Sequence, residues 1–300
     1  MTVCIAGIHQ DGSKKSIIAV SDQKVSFFGG LLSAEGVAQK IKHLNSDWNV
    51  MFSGDLSPMV PLLYAISSAI NAIPAEARGV RVVARACSAA YREERKGIIE
   101  NEILCDYDID TYADYVALKT TNESLFEAIT AKISEKEQTW SLLFCGFVSH
   151  KHPHIFVVGE RGKIQYCDIE GFAAIGSGAW AAAVSLSSFP YKTSLDLGES
   201  MYAILAAKYA SESADGVGEK TILVVLRPGQ DIVPIMPSLP LDLIRNKWKS
   251  LPKVPHGAAE QLIIELKEIE ARSKRDAKKR AAKAAKASKA LPKDGTPQKP

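Results

Sequence analysis

The sequence predicts an α+β protein built from packed layers of helix and antiparallel sheet. Its patterns run strands, helices, strands, helices, strands, which segregates the two element types instead of alternating them as βαβ units do. Short β-rich runs meet at turns marked by Gly, Asp and His-Pro, the spacing of antiparallel neighbours. Between them, apolar residues recur every three or four positions, the mark of helices with one buried face. At 300 residues, with 46% hydrophobic and 24% charged side chains, the chain can bury one large or two modest cores.

The elements follow in order. VCIAGIHQDGSKKSIIAVSD reads as two strands around a turn at Gln10 to Lys15, because Asp-Gly separates two runs rich in Val and Ile. After a Gly-containing connection, Phe28 to Gly36, the stretches VAQKIKHL and WNVMFSGD predict two short strands, the second ending at Gly54. Leu62, Leu63, Ile66, Ile70 and Ile73 recur at helical spacing, and Val82, Val83, Ala86 and Ala90 mark a second helix after Gly79. Residues 105–139 are polar and read as an insertion with one helix around Glu123 to Glu137. SLLFCGFV, HIFVVG, KIQYCDI and FAAIGSG then predict four strands of an antiparallel sheet. Helices at Ala179 to Leu186 and Leu195 to Glu212 lead to a strand at TILVVL and a last short one near DIVPI.

Residues 1–235 thus read as one domain, and 236–258, punctuated by Pro in MPSLPLD and SLPKVPHG, as a linker or arm. Residues 259–300 read as a tail: an amphipathic helix from Ala259 to Arg272, then RDAKKRAAKAAKASKA and an unstructured end. The tail is strongly basic. From Ala271 onward eleven Lys or Arg face only Asp276 and Asp294, a net +9 within a chain of +3, which leaves residues 1–270 at −6. Such a tail suits a sequence-nonspecific contact with an acidic partner or nucleic acid, though it offers no aromatic residue to stack on bases. No run of about 18 apolar residues predicts a membrane span, and the start lacks the apolar run of a secretory signal, so the expected compartment is the cytoplasm. Five scattered cysteines without a C-x-x-C pair read as buried free thiols, not as a disulfide framework or zinc ribbon.

Chemistry concentrates near the N-terminus. Removal of Met1 would give Thr2 a free α-amine, so that one residue holds a hydroxyl nucleophile and a base. The hairpin turn brings Asp22, at the end of the second strand, back towards Thr2. Lys40 lies in VAQKIKH, where strand alternation would place Lys40 and Lys42 on one face and Ile41 on the other. An ammonium beside the Thr2 amine, held by Asp22, disfavours a second positive charge and keeps the amine basic. Gly54 stands at a strand-to-helix corner where a backbone N–H can receive an oxyanion, and Ser177 lies between two glycines at another.

In this order, Thr2, Asp22, Lys40-Ile41, Ser53-Gly54-Asp55 and Gly176-Ser177-Gly178 resemble the β-type proteasome subunits of the N-terminal nucleophile hydrolases, and the MT-x-C opening their bacterial ring-forming relatives. The resemblance covers about Thr2 to Leu226. It implies a four-layer αββα sandwich assembled into homo-oligomeric rings, and a threonine peptidase acting on peptides or unfolded proteins. Thr2 would be nucleophile and base, Asp22 and Lys40 would tune the amine, Gly54 would supply the oxyanion N–H, and Ser177 would order the amine and its water. Asp215, in SADGVGEK, is the match for the family's late acidic residue, and Ser26, Phe52 and Leu56 are the implied substrate contacts. No cofactor or metal is implied. The chain contains no nucleotide-binding loop, so any unfolding power would come from a separate ATPase. An amidohydrolase of small amides and a catalytically silent ring subunit are the alternative readings.

Two further signals compete. GSGAWA fits the G-x-G-x-x-A dinucleotide fingerprint, but the segment after it reads as a second helix, where a βαβ unit needs a strand. His150, His152 and His154 in HKHPH alternate as metal ligands on a strand can, yet they fall between two expected strands, where an exposed turn is the simpler reading.

Overall fold

A computed structural model describes residues 2–12, 14–27, 32–36, 39–54, 56, 58–135, 140–149, 151–189, 191–229 and 241–250. The expected strand near DIVPI, the tail helix and the basic segment lie outside these residues. The chain divides into two compact units, Met1–Met236 and Pro237–Pro300.

The first unit opens with the hairpin β1 (Cys4–Asp11) and β2 (Lys14–Asp22). Alternation sends Cys4, Ala6, Ile8, Ile17 and Ala19 to one face, where they form a core with Met51, Leu143, Cys145 and Ile155. Those partners belong to β6 (Trp48–Ser53), β7 (Ser141–Val148) and β8 (His152–Val158). Two sheets therefore pack face to face. One has four strands in the order β10-β1-β2-β11, with β10 at Phe172–Ile175 and β11 at Thr221–Leu226. The other has five, β5-β6-β7-β8-β9, with β5 at Ile41–His43 and β9 at Ile164–Tyr166. Every pairing is antiparallel.

The opposite face of the five-stranded sheet presents Trp48, Val50, Phe52, Leu142, Phe144 and Phe156 to α1 (Met59–Asn71) and α2 (Val80–Glu102). Helix α1 buries Met59, Leu62, Ile66 and Ile70, a stripe of period 3.6. In α2 the buried stripe is Val83, Ala84, Cys87 and Tyr91, while Val82 is exposed. Each buried Val, Leu, Ile or Met of these stripes contributes about 1.5–3 kcal/mol on burial. Helices α5 (Ala179–Ser188) and α6 (Leu197–Ser211) lie against the four-stranded sheet. Helix α6 begins with a capping box: Asp196 accepts from the Glu199 N–H at 2.8 Å, and Glu199 accepts from the Asp196 N–H at 3.2 Å.

The expected plain four-layer αββα sandwich is corrected. Among the described residues the strands form three antiparallel sheets, because part of the stretch read as a connection, β4 (Leu32–Glu35), pairs with β3 (Lys24–Phe27) just before that stretch. The insertion holds two helices, α3 (Tyr112–Thr121) and α4 (Glu123–Glu135), which build a separate core with the end of α2 from Ile99, Ile103, Leu104, Tyr115, Ile129 and Ile133. FAAI also leaves the expected sheet. As β10 it pairs with β1, with Cys4 opposite Ile175, and not with β9. In the second unit, α7 (Leu241–Ser250) occupies part of the stretch read as a linker. Among the described residues no helix is long and apolar enough to cross a membrane.

The five cysteines are free thiols, four of them buried and Cys105 exposed. Burial pushes the Cys4 and Cys145 thiols up to about 12 and that of Cys167 up to about 11, the last helped by the neighbouring charges of Glu170 and Asp168. Because the thiolate is the reactive form, a disulfide reagent at pH 7.5 is expected to titrate one thiol rapidly in the native protein and five in denaturant. Rapid labelling of Cys4 or Cys145 in the native state would contradict this packing.

Candidate active site

Antiparallel register gathers the site. In the four-stranded sheet, the start of β1, the end of β2, the end of β10 and the start of β11 all fall at one edge, because Cys4 pairs with both Ser21 and Ile175, and Asp22 with Thr221. Thr2 therefore stands between Asp22 and the Gly176-Ser177-Gly178 turn. From the other sheet, the residue preceding β5 reaches the same point, and that residue is Lys40.

The Thr2 hydroxyl donates to Asp22 Oδ1 at 2.5 Å and accepts from Lys40 Nζ. Lys40 Nζ also donates to both oxygens of Asp22 at 2.9 Å. All three side chains are out of water: Thr2 is 3% exposed, Asp22 0% and Lys40 4%. A buried ion pair persists only when its remaining lone pairs are satisfied. Here backbone does this, with the Val3 N–H on Asp22 Oδ1 at 2.9 Å and the N–H groups of Lys24 and Gly218 on Oδ2 at 3.0 and 3.2 Å.

The Thr2 backbone is held as firmly. Its N–H donates to Ser177 Oγ at 3.2 Å, and its carbonyl accepts from Ser177 Oγ at 3.3 Å and from the Gly178 N–H at 3.2 Å. Ser177 Oγ also lies 3.4 Å from the Asp215 carbonyl oxygen. The turn wraps so closely that a Cβ on Gly176, whose φ is 93°, would collide with the Thr2 carbonyl and its Cγ2, so only glycine fits. Cys4 Sγ contacts the Phe52 carbonyl at 3.5 Å, which ties the start of β1 to the end of β6.

The remaining sequence candidates fall as follows. Gly54 is exposed just beyond β6 with φ of 115°. Phe52 packs with α1 and α2, and Leu56 packs against that same core. Asp215 is exposed and meets Ser177 through its backbone. Ser26 sits in β3 opposite Ser33, and Asp55 lies outside the described residues. Lys40 and Lys42 do not share an environment: Lys40 precedes the strand and is buried, while Lys42 is exposed, so alternation is not what orients Lys40.

Three contributors escaped the sequence reading: the N–H groups of Val3, Lys24 and Gly218, which orient Asp22. Backbone donors have no residue-type signature, although Gly218 in an otherwise charged GEK stretch is a trace of one. HKHPH is not a turn at His152 and His154, which lie in β8. His154 Nδ1 is 2.8 Å from Asp168 Oδ2, and the two border a cavity of about 240 Å³ with Ile8, Gln10 and Thr193, towards the other end of β1. His150 lies outside the described residues. Among the described residues no group of three or more His, Cys, Asp or Glu is placed to hold a metal.

No protein-family model matches the chain, and a search of curated proteins finds no match. Among solved structures, the Anbu (Gly-1) mutant from Hyphomicrobium sp. strain MC1 matches with a TM-score of 0.55 and 15% sequence identity, over 85% of this chain and 99% of that chain. At that identity it is the fold that is shared. The expectation of a β-type proteasome subunit is corrected accordingly. It rests on the order and spacing of short motifs, none specific alone, and no family model supports it, whereas the likeness found is one of fold, to Anbu.

Proposed function

We propose that the chain is a hydrolase of amide bonds with Thr2 as nucleophile and peptides as its substrate class. The supporting observation is the convergence on one hydroxyl: Thr2 Oγ1 is bonded both to a buried carboxylate 20 residues away and to a buried ammonium 38 residues away. With Met1 attached, the Thr2 nitrogen is an amide and has no basic lone pair. Its removal makes that nitrogen an α-amine, whose ordinary pKa is about 7.7–8.0.

Once the amine is free, the Oγ1 proton turns from Asp22 Oδ1 to the amine, which takes it as Oγ1 bonds to the substrate carbonyl carbon. The Lys40 ammonium stabilises the developing alkoxide, and Asp22 holds Lys40 in place. Gly54 is our candidate donor to the oxyanion. Collapse breaks the C–N bond, the amine returns its proton to the leaving nitrogen, and an ester on Thr2 remains. A water deprotonated by the same amine then releases the acid and restores the hydroxyl. Ser177 Oγ, bonded to the Thr2 nitrogen, orients the amine, and the Asp215 carbonyl orients Ser177.

Intact mass measured alongside hydrolysis of unstructured peptides tests this reading. Chains lacking Met1 are expected to turn over, and chains with Met1 or an N-terminal tag to lose at least about 10³-fold, since the base is then an amide. Hydrolysis of small amides but not peptides would overturn the substrate class alone. A correctly processed chain that hydrolyses neither would overturn the whole reading.

A further inference from the structure

Lys208, on α6, is 0% exposed, an unusual place for an ammonium. Its Nζ donates to Glu212 Oε1 at 2.5 Å, one helical turn on, and to the carbonyl oxygens of Gly218 and Glu219 at 2.8 and 2.9 Å. The ammonium thus pins the segment between α6 and β11 to the end of the helix. That same segment touches the Thr2 cluster on two sides. The Asp215 carbonyl accepts from Ser177 Oγ, and the Gly218 N–H donates to Asp22 Oδ2. A Cβ at Gly218 would come 2.5 Å from Lys24 Cβ and 2.6 Å from Glu35 Oε1, so the segment closes on Asp22 without slack.

We propose that Lys208 is a positioning residue for the Thr2 centre, clamping the 214–220 segment so that the Gly218 N–H fixes the orientation of the Asp22 carboxylate. The inference rests on the proposed hydrolase reading. Asp22 must present both oxygens to Lys40 while accepting the Thr2 hydroxyl on Oδ1. Among the described residues the Oδ2 oxygen is oriented by two backbone donors, from Lys24 and Gly218. Releasing one lets the carboxylate rotate and carries Lys40 away from Thr2 Oγ1. Small misplacements of this kind lower the rate of bond-making more than they weaken binding.

The test uses the full processed chain. Lys208→Met alone would leave the Glu212 carboxylate buried beside an apolar side chain, so Lys208→Met/Glu212→Leu removes both charges together. This double variant is expected to lose about 10–100-fold in kcat on peptides, with KM within about twofold of the parent, and to lose hydrogen-exchange protection at the Gly218 amide. Gly218→Ala, which leaves Lys208 untouched, is expected to reproduce the kcat loss, and its combination with the double variant to be far from additive. Parental kcat together with an unchanged Gly218 amide in the double variant would overturn the inference. If that variant does not fold, Lys208→Gln, whose shorter neutral amide cannot hold the Gly218 and Glu219 carbonyls together, is read by the same two criteria, kcat and Gly218 exchange. If the parent shows no Thr2-dependent turnover, the hydrolase reading fails on its own and Gly218 exchange alone decides whether Lys208 is a clamp.

Discussion

Thr2→Ala is expected to abolish peptide hydrolysis, by at least about 10³-fold, in a protein that still folds. Loss of the Oγ1 atom removes the hydroxyl on which the ester forms, and Lys40 cannot replace it while its Nζ is held by both oxygens of Asp22. The fold should hardly notice. Asp22 keeps its bonds from Val3, Lys24, Gly218 and Lys40, so the stability change is that of one or two hydrogen bonds, about 0.5–1.5 kcal/mol each. Thr2→Ser retains hydroxyl and amine and should retain measurable turnover. Matched assays of the three proteins at one pH, each verified by mass to lack Met1, make the comparison. Hydrolysis by Thr2→Ala at a rate near the parent's would place the chemistry elsewhere.

How much of this was legible in the sequence differs by element. The β1–β2 hairpin, helices α1, α2, α5 and α6 and strands β6 to β8 follow local patterns, because turn residues and a single buried face write themselves into the order of side chains. What failed was pairing. FAAI looks like the fourth member of a run of strands, and nothing within it says that its partner is β1, 171 positions earlier at Cys4 and Ile175. The β3–β4 hairpin was missed because its strands are four residues each and Gly29-Gly30 between them reads as loop. Helix α3 was missed because Tyr115 is its single buried residue, too little for a periodic signal.

The site divides in the same way. Thr2, Asp22, Lys40 and Ser177 can be selected by chemistry, since a hydroxyl beside an amine, a carboxylate and an ammonium suggest themselves as residue types. Phe52 could not be placed correctly by its neighbour Gly54, because alternation in β6 sends Met51 to the core between the sheets and Phe52 to the helices. Lys208 was passed over for a related reason: a lysine in a helix reads as solvated, and only the packing of α6 shows it buried.

Asp22→Ala is expected to cost about 3–5 kcal/mol of stability, the largest single effect on the fold. The change strands the Lys40 ammonium, 4% exposed, without its counter-ion, and leaves the N–H groups of Val3 and Gly218 facing a cavity. Two effects oppose each other here. Losing the carboxylate relieves the cost of burying its charge, but that relief is small beside the penalty for an uncompensated cation and unpaired buried donors. Removing the ion pair together, as Asp22→Ala/Lys40→Met, should therefore destabilise less than Asp22→Ala alone, because the cation leaves with the anion. Asp22→Asn retains one acceptor oxygen and should fall between the parent and Asp22→Ala. Urea unfolding at pH 7, with midpoints compared at constant slope, measures all three. A loss below about 1 kcal/mol for Asp22→Ala, or a double variant less stable than the single, would mean that Lys40 is not held by Asp22. The same result would deprive Thr2 of the oriented ammonium on which the proposed chemistry depends.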